Sequence, residues 1–375
     1  MSIKQNVGRE GQSMNKIKEI EVFLHNEKIG RMALTPDGLC AFEYESGFLS
    51  SGFSISPFFL PLKKEVFIAK RHPFRGGYGV FDDSLPDGWG NLVLDRYLRS
   101  KGIDPYRLSL LQRLALVGST GRGALEFRPD WSEESPNEII DFNLLAQESE
   151  KVLTTEYSGN LLETFYKFGG SSGGARPKVF VKIEGREWLV KFKTMHDPDD
   201  IGKIEYEYSL LAKKCGIKMA ETRLLEGRYF ATERFDRTKQ GKIHTVSAAG
   251  LLHADYREPS LDYEGLLKLC HILTKNMEEV YALFRQMVFN VLIKNRDDHA
   301  KNFSFQHING EWKLSPAYDL LPSEGFNGFH TTTINGSGNP SESDILKVGK
   351  KANLTAKRVE DILKEVSHII HCNNI

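Results

Sequence analysis

The sequence predicts an α+β protein, with strands concentrated in its first half and helices in its second half. Short apolar–polar alternations separated by turn-forming residues run from Glu19 to about Leu60, as is typical of strands. A second strand pattern, Lys178–Ile183 and Glu187–Lys193 around Glu184-Gly185, predicts a hairpin in mid-chain. Apolar residues then recur at helical spacing, most clearly over Met277–Lys294. Strands first and helices second indicate an α+β class.

The length of the chain, 375 residues, exceeds one ordinary compact core, so we expect two or three domains. Residues 1–16 are polar and offer little to bury, which predicts a flexible tail. After the tail we expect a β-rich subdomain over residues 17–130, the rest of the first lobe over 131–235, and a helical second lobe over 236–375.

Composition and charge exclude several classes of protein. Fifty basic side chains balance fifty acidic ones, which argues against a dedicated nucleic-acid or membrane-surface protein. The N-terminus lacks the apolar core of a signal peptide, and no apolar run reaches about 18 residues. We therefore expect a cytoplasmic protein without a membrane span. Four cysteines without a CxxC pair predict reduced, mostly buried thiols: Cys40, Cys215, Cys270 and Cys372.

Two glycine-containing segments stand out in the first half. Leu85-Pro-Asp-Gly-Trp-Gly90 is followed by a run with helical spacing, Asn91–Ser100. A glycine-rich turn, Gly118–Gly123, precedes a short strand over Ala124–Pro129. The polar stretch Asp130–Asn137 predicts a boundary, with helices after it.

The remaining elements of the second half have clear start and stop signals. A helix is expected to end at Gly216, since glycine suits the residue after a helix, and Thr355 is expected to cap the last helix. The predicted elements are helices over Ile204–Cys215 and Leu354–Ile370 and strands over Arg228–Arg234 and Trp312–Leu314.

The segment Asn295–Ser304 carries charged and polar residues directly after the apolar helix, where such residues are costly unless they have a role. Asp297 and Asn302 stand five positions apart, which is the D-x-x-x-x-N spacing of a kinase catalytic loop. In that scheme the aspartate orients the attacking hydroxyl and accepts its proton, and the asparagine binds magnesium. Asp319, after the predicted strand Trp312–Leu314, is expected to be a second magnesium-binding carboxylate.

Residues upstream complete a pattern for binding nucleotide phosphates. Lys191 lies on the second strand of the hairpin, from which a lysine can reach phosphates, and it needs a carboxylate partner on a nearby helix. Glu205 is placed for that partnership, and Glu207 is an alternative. The loop Gly169–Gly174 precedes the hairpin. Its glycines allow backbone N–H groups to approach phosphate. The loop lacks GxxxxGK[ST], which excludes a P-loop enzyme.

Each of these signals also has an interpretation without catalytic function: a plain turn for the loop, a solvated strand lysine for Lys191, and a structural hydrogen-bonding role for His299. Their order along the chain is more informative than any one of them. Loop, lysine strand, glutamate helix, edge strand, Asp–Asn loop and a final aspartate follow the order of a kinase. The sequence therefore predicts ATP- and Mg²⁺-dependent phosphoryl transfer.

The residues also resemble a known family, the HipA-like serine/threonine kinases, which are toxins of bacterial toxin–antitoxin modules. The resemblance extends from about Val22 to Leu321 and implies a protein-kinase-like bilobal core, with residues 17–130 as an N1-like subdomain of the N-terminal β-rich lobe. The motifs that carry it are Leu24–Arg31, Leu85–Gly90, Gly174–Lys178, Glu233–Arg237, Asp297–Asn302 and Tyr318-Asp319.

The resemblance implies that Glu233, Arg234 and Phe235 form the hinge that meets adenine. It also implies autophosphorylation of a serine in the glycine-rich loop, which is Ser171 when counted back from Gly174, with Ser172 adjacent. Pattern and resemblance together predict Asp297 as the catalytic aspartate; Asn302 and Asp319 as magnesium ligands; Lys191, Glu205, Glu233, Arg234, Phe235, Gly173 and Gly174 as ATP-binding residues; and His299 and Lys301 as supporting residues.

The implied partners are a protein substrate and a small helix-turn-helix antitoxin of the HipB type, with DNA contacted only through the antitoxin. The family loop usually reads GAQxK, whereas Arg176 and Pro177 stand at the third and fourth positions here. Two alternative functions remain open: a kinase of the same fold acting on a small molecule or lipid, and a pseudokinase or co-repressor scaffold.

Overall fold

The computed structural model describes residues 16–133, 141–154, 161–325 and 327–373, so nearly all of the predicted tail lies outside the described residues. The chain divides into two compact units. The first comprises residues up to 202 together with 224–244, and the second comprises 203–223 together with the residues from 245 onward. Within the described ranges, no helix is long and apolar enough to cross a membrane. All four cysteines are free and three are buried, as predicted.

The first unit contains two main sheets with helices between them in the sequence. Its strands are β1 Glu19–Leu24, β2 Glu27–Leu34, β3 Cys40–Tyr44, β4 Phe67–Ile68, β5 Leu125–Arg128, β6 Lys178–Ile183, β7 Arg186–Lys191, β8 Thr222–Leu225, β9 Tyr229–Glu233, β10 Arg237–Thr238 and β11 Gly241–Lys242. Its helices are α1 Phe48–Ser51, α2 Gly79–Asp82, α3 Gly88–Ser100, α4 Leu110–Val117, α5 Phe142–Leu153 and α6 Leu162–Gly169.

The N-terminal sheet has the strand order β4–β3–β2–β1–β5 with antiparallel neighbours. The turn at His25 and Asn26 joins β1 to β2, and both residues have positive φ, as a tight hairpin turn requires. Buried aromatic rings cover one face of the sheet: the ring of Phe81 lies 5.3 Å from that of Phe42 and 6.3 Å from that of Phe127.

The second sheet has the order β6–β7–β9–β8, and its β6–β7 hairpin confirms the sequence prediction. Glu184 and Gly185 form the turn with φ values of 52° and 76°. Trp188 and Val190 alternate with more exposed residues along β7 and are fully buried. The strand predicted over Arg228–Arg234 is also present, as β9.

Two differences from the sequence prediction concern α3 and α4. Helix α3 begins at Gly88 instead of Asn91, so the end of the Leu85–Gly90 motif forms its first turn. Helix α4 was not predicted, although Ser109 and Gln112 form a capping box at its start. Its short length offered little periodicity, since only two turns separate Ser109 from Gly118.

The second unit is mainly helical. Its helices are α7 Ile201–Lys214, α8 Ala248–Leu252, α9 Tyr263–Thr274, α10 Met277–Leu292, α11 Glu342–Lys351 and α12 Ala356–Cys372. Its strands are β12 His244–Ser247, β13 Leu261–Asp262, β14 Ser304–Ile308, β15 Glu311–Leu314 and β16 Thr332–Thr333, in the sheets β12–β14–β15 and β13–β16.

Helix α10 forms the centre of the second unit and packs against α9 and α12. Leu283, Phe284, Met287 and Val288 are fully buried, which confirms the predicted apolar face. Helix α12 begins after Thr355, as predicted, but the Thr355 side chain does not cap it. Its hydroxyl lies 3.1 Å from the Tyr281 hydroxyl instead, because the buried tyrosine competes for it.

Candidate active site

Hydrogen bonds fix the backbone N–H and the backbone carbonyl of Asp297, in the segment after α10. The N–H of Asp297 donates to Ser323 Oγ at 2.8 Å, and its carbonyl oxygen accepts from Asn302 Nδ2 at 2.7 Å. Asp297 is exposed, whereas the next residue, Asp298, is completely buried. The structure therefore fixes the backbone of the predicted catalytic aspartate while leaving the residue open to solvent.

The predicted supporting residues shape the turn between Asp297 and Asn302. His299 Nδ1 accepts from the N–H of Lys301 at 3.2 Å, and the carbonyl oxygen of His299 accepts from the N–H of Asn302 at 2.8 Å. Lys301 is nearly buried, with its ammonium 4.0 Å from the centre of the Tyr256 ring. His299 thus stabilises a turn of 3₁₀ helix over Ala300–Asn302.

Asp319 lies on a second loop that is bonded to the first. Its φ of 54° is in the left-handed region, which a non-glycine residue adopts at a cost of about 1 kcal/mol or more. Its carbonyl oxygen accepts from Asn295 Nδ2 at 3.0 Å. The neighbouring Tyr318 donates its hydroxyl to the carbonyl oxygen of Lys301 at 2.5 Å and lies 2.6 Å from Ser304 Oγ. Strained backbone held by such contacts is common at functional sites.

The donor set of these two loops fits magnesium. Magnesium prefers a few carboxylate or amide oxygens and leaves its remaining positions to water and phosphate. Because the side-chain nitrogen of Asn302 donates to the carbonyl oxygen of Asp297, the side-chain oxygen of Asn302 points away from that carbonyl. Across the described residues, no group of three or more His, Cys, Asp or Glu side chains could hold a metal by itself. Asn302 and Asp319 offer an amide oxygen and a carboxylate of the kind that magnesium binds, and their role as ligands stays a prediction.

Asp298 is a buried anchor that the sequence did not single out. Its carboxylate accepts from the hydroxyl of Tyr263 at 2.9 Å and from the N–H groups of Thr331 and Thr332 at 2.9 and 3.1 Å. His330 Nδ1 lies 2.9 Å from the same carboxylate. These contacts tie the segment 330–332 to the residue that follows Asp297.

The glycine-rich loop of the first unit is held by the Leu85–Gly90 motif. The N–H of Trp89 donates to the carbonyl oxygen of Gly174 at 2.9 Å, and the Asp87 carboxylate accepts from the N–H of Gly174. Lys178 Nζ donates to the carbonyl oxygen of Gly173 at 2.5 Å. The predicted phosphate-binding amide of Gly174 thus already bonds an anionic group in this structure.

The two candidate serines differ in exposure. Ser171 is half-buried and donates its hydroxyl to the carbonyl oxygen of Thr120 at 3.1 Å. It also lines a small cavity of about 20 Å³, enough for one water molecule. Ser172 is buried and donates to the carbonyl oxygen of Gly169 at 2.6 Å. Of the two, Ser171 is the more accessible hydroxyl.

The charged side chains of Glu233–Arg237 bind the Gly118–Gly123 turn, a role that sequence analysis missed. Buried Asp236 accepts from the N–H of Gly123 at 2.8 Å and from the guanidinium groups of Arg234 and Arg237, each at 2.9 Å. Burial alone would raise the pKa of Asp236, but the two arginines outweigh it and hold that pKa well below its ordinary value. Burial and the charge of Arg234 lower the pKa of Arg237 to about 10.

The remaining predicted nucleotide residues lie on regular elements. Lys191 ends β7, with its ammonium 5.5 Å from the centre of the Phe230 ring. Glu205 on α7 is buried, whereas Glu207 is exposed and pairs with Lys203 at 3.7 Å. The partnership of Lys191 with Glu205 or Glu207 stays a prediction.

The predicted hinge residues lie at the end of β9 and directly after it. Glu233 is the last residue of β9 and pairs with Arg186 at 3.3 Å. The N–H of Arg234 donates to the carbonyl oxygen of Glu187 at 2.8 Å, and Phe235 is half-buried. The predicted contact of this segment with adenine stays a prediction.

Comparisons with known proteins decide the family. The model of the HipA-like C-terminal domain matches residues 170–372, which is more than half of the chain, and the model of the HipA N-terminal domain matches residues 20–128. The chain belongs to the HipA family. The first match contains both loops of the second unit, and the second contains the N-terminal sheet and the Leu85–Gly90 motif. The resemblance stated from the sequence is thereby confirmed.

Relatives and a solved structure agree with membership of the HipA family. "Putative kinase Y4dM" of Sinorhizobium fredii is 25% identical, with 94% of this chain and 90% of the relative covered. "Putative kinase Y4mE" of the same organism is 31% identical, with 83% and 78% covered. A chain from the Shewanella oneidensis MR-1 complex of HipA, HipB and operator DNA superposes with a TM-score of 0.71 at 20% identity, covering 94% of this chain and 88% of that one. This likeness confirms the predicted fold class.

Proposed function

We propose that this HipA-family protein is an ATP- and Mg²⁺-dependent serine/threonine protein kinase that restrains growth by phosphorylating a cellular protein. The observation that supports this most is the catalytic loop itself. Asp297 is exposed but held at its N–H by Ser323 and at its carbonyl by Asn302, and Asn295 connects the same segment to the Asp319 loop. Such an arrangement keeps a general base and two oxygen ligands at fixed positions relative to one another.

In this proposal the hydroxyl oxygen of the substrate serine or threonine attacks the γ-phosphorus of ATP. The new O–P bond forms as the bond from the γ-phosphorus to the bridging oxygen breaks, and ADP leaves. Asp297 orients the hydroxyl and accepts its proton. Asn302 and Asp319 would hold magnesium, which neutralises charge on the phosphate oxygens. Each role uses an oxygen atom of the type that the chemistry requires.

Residues outside these two loops would supply the remaining contacts to ATP. We propose that Lys191 binds phosphates, with Glu205 as its carboxylate partner, and that Glu233–Phe235 meets adenine through its backbone. The glycine-rich loop would bind phosphates through its amides, and the bond from Gly174 N–H to the Asp87 carboxylate supports this, because the carboxylate is also an anionic acceptor. Phosphate would replace the carboxylate there.

Autophosphorylation of Ser171 is the proposed regulatory reaction, because its hydroxyl is the more exposed of the two serines. A phosphoryl group would remove the proton that Ser171 donates to Thr120 and would add close to two negative charges to the loop. Mass spectrometry of the chain after incubation with magnesium and ATP should find phosphate on Ser171. Phosphate on Ser172 alone would reverse this choice.

The proposed partners are a protein substrate and a helix-turn-helix antitoxin, with DNA bound only through the antitoxin. The support is the match to a Shewanella oneidensis complex that contains HipA, HipB and operator DNA. The free cysteines fit a reducing compartment, and we propose that the protein acts in the cytoplasm.

Labelled ATP and a cell lysate test the proposed function. The wild-type chain should label one or a few discrete proteins, and Asp297→Asn should label none while it remains folded by circular dichroism. Asp361→Asn, at an exposed residue of α12, is the matched control and should behave as wild type. Label confined to small molecules or lipids would favour the alternative kinase, and ATP binding without transfer would favour a pseudokinase or co-repressor.

A further inference from the structure

A network of buried, hydrogen-bonded polar side chains connects the two loops of the second unit. Tyr263, at the start of α9, donates its hydroxyl to Asp298 Oδ2 at 2.9 Å and accepts from Asn290 Nδ2 at 3.0 Å. Asn290 belongs to α10, in the middle of an apolar run. Its oxygen accepts from Asn295 Nδ2 at 3.0 Å.

Asn295 completes the connection to the other loop. The same Nδ2 group donates to the carbonyl oxygen of Asp319 at 3.0 Å, and the N–H of Asn295 donates to the carbonyl oxygen of Asn290 at 2.8 Å. The hydrogen-bonded network therefore begins at Asp298, next to Asp297, and ends at the backbone of Asp319. Every link lies within the second unit.

Burial makes these bonds strong constraints. Tyr263, Asn290, Asn295 and Asp298 are each at most 2% exposed. A buried polar group that loses its partner destabilises the fold, so this network resists displacement of either loop. Burial and the nearby Asp298 raise the pKa of Tyr263 well above its ordinary value, which keeps its hydroxyl protonated as a donor.

We propose that Tyr263 is a positioning residue for phosphoryl transfer, acting with Asn290 and Asn295 to hold Asp297 and Asp319 in register. The inference rests on the proposed function, and it adds a residue that neither the pattern nor the family resemblance indicated. Tyr263 does not touch the reacting atoms in this scheme. It acts through Asp298 on the residue next to Asp297, and through the two asparagines on the backbone of Asp319.

A purely structural role is the competing explanation, because a buried tyrosine with two hydrogen bonds also stabilises the fold. The chain offers a matched control in Tyr281, which is likewise buried, lies in the same unit and makes two hydroxyl contacts with Thr355, at 3.0 and 3.1 Å. Tyr281 and Thr355 belong to no part of the proposed site.

The test compares magnesium-dependent ATP turnover by the full chain as wild type, Tyr263→Phe and Tyr281→Phe. Both substitutions should lower the melting temperature, since each removes two hydroxyl contacts. Only Tyr263→Phe should lower kcat, by about 10- to 100-fold, and raise the magnesium concentration for half-maximal turnover, as is usual when support of metal ligands is lost. The KM for ATP should stay unchanged.

A double variant, Tyr263→Phe with Asn290→Leu, separates the two roles even if the single variant folds poorly. Replacing both partners of the bond between Asn290 and Tyr263 by apolar groups leaves neither of them unpaired, and Asn295 and Asp298 still have the Asp319 carbonyl and His330 as partners, so part of the stability should return. The inference expects regained stability with kcat still low, whereas a structural role requires kcat to recover with it.

The outcomes for this inference and for the proposed function are distinguishable. Turnover that disappears in Asp297→Asn but is unchanged in folded Tyr263→Phe overturns the inference alone. An equal loss of kcat in Tyr263→Phe and Tyr281→Phe also overturns it. A wild-type chain without turnover overturns the proposed function, and the inference with it.

Discussion

Gly88→Ala probes how the Leu85–Gly90 motif controls the glycine-rich loop. Gly88 begins α3 with a φ of 37°. An alanine Cβ there would lie 2.5 Å from the carbonyl oxygen of Gly174, 2.7 Å from its carbonyl carbon and 2.9 Å from the Cα of Ala175. All three are backbone atoms, so no flexible side chain can rotate away. The loop itself must move.

The required movement can be worked out from these distances. A carbon atom approaches a carbonyl oxygen to about 3.3 Å without repulsion. The loop around Gly174 must therefore retreat by about 0.8 Å from the 2.5 Å that the added Cβ would meet. A displacement of about 1 Å in a positioned group costs about 100-fold in rate. We expect kcat/KM for ATP to fall by about that factor, because Gly173 and Gly174 are the proposed phosphate-binding residues.

Gly227→Ala is the control for this substitution. Gly227 also has a positive φ, 69°, but an added Cβ would meet nothing within 4 Å. Gly227→Ala should lose about 1–2 kcal/mol of stability from a left-handed alanine, measured by urea unfolding, and Gly88→Ala should lose more because its Cβ also overlaps backbone atoms. Only Gly88→Ala should lose ATP turnover. Unchanged kcat/KM in folded Gly88→Ala would refute the proposed role of the loop contact.

Two further predictions concern other contacts. Asp236→Asn should destabilise the fold by about 3 kcal/mol in urea unfolding, since Arg234 and Arg237 would lose their buried counter-ion. The pKa of Asp236 is lower in the folded than in the unfolded chain, so the carboxylate adds to the free energy of unfolding above about pH 4. This added stability is lost as pH falls further, and Asp236→Asn should not show that loss. Ser323→Ala should lower kcat about tenfold with little effect on stability, because the N–H of Asp297 loses its acceptor, and Ser323→Thr should restore it. A wild-type acid profile in Asp236→Asn, or full activity in Ser323→Ala, would contradict these expectations.

The sequence predicted best those features that depend on near neighbours in the chain. Glu184-Gly185 predicts a tight turn by itself, and the alternation on either side predicts the hairpin that the structure contains. The apolar face of α10 follows from spacing alone. The Asp297–Asn302 spacing placed two residues in one loop, and a side chain of one does bond the backbone of the other.

The sequence did not reveal contacts between distant segments. The N–H of Gly123 bonds a carboxylate 113 residues away, and Trp89 Nε1 bonds a carbonyl 89 residues away. No local pattern encodes such pairs. Asn290 carried a usable signal, because an asparagine inside the apolar run of α10 needs a buried partner. The identity of that partner, Tyr263, required the fold.

Phosphoryl transfer by the Asp297 loop is the central claim, and magnesium-dependent release of ADP by the purified chain tests it most directly. Wild type and the control Asp361→Asn should release ADP at equal rates, and chelation of magnesium should stop both. Asp297→Asn and Asp319→Asn should each release ADP no faster than a protein-free blank while their melting curves stay close to wild type. ADP release at the wild-type rate by folded Asp297→Asn would contradict the proposed mechanism.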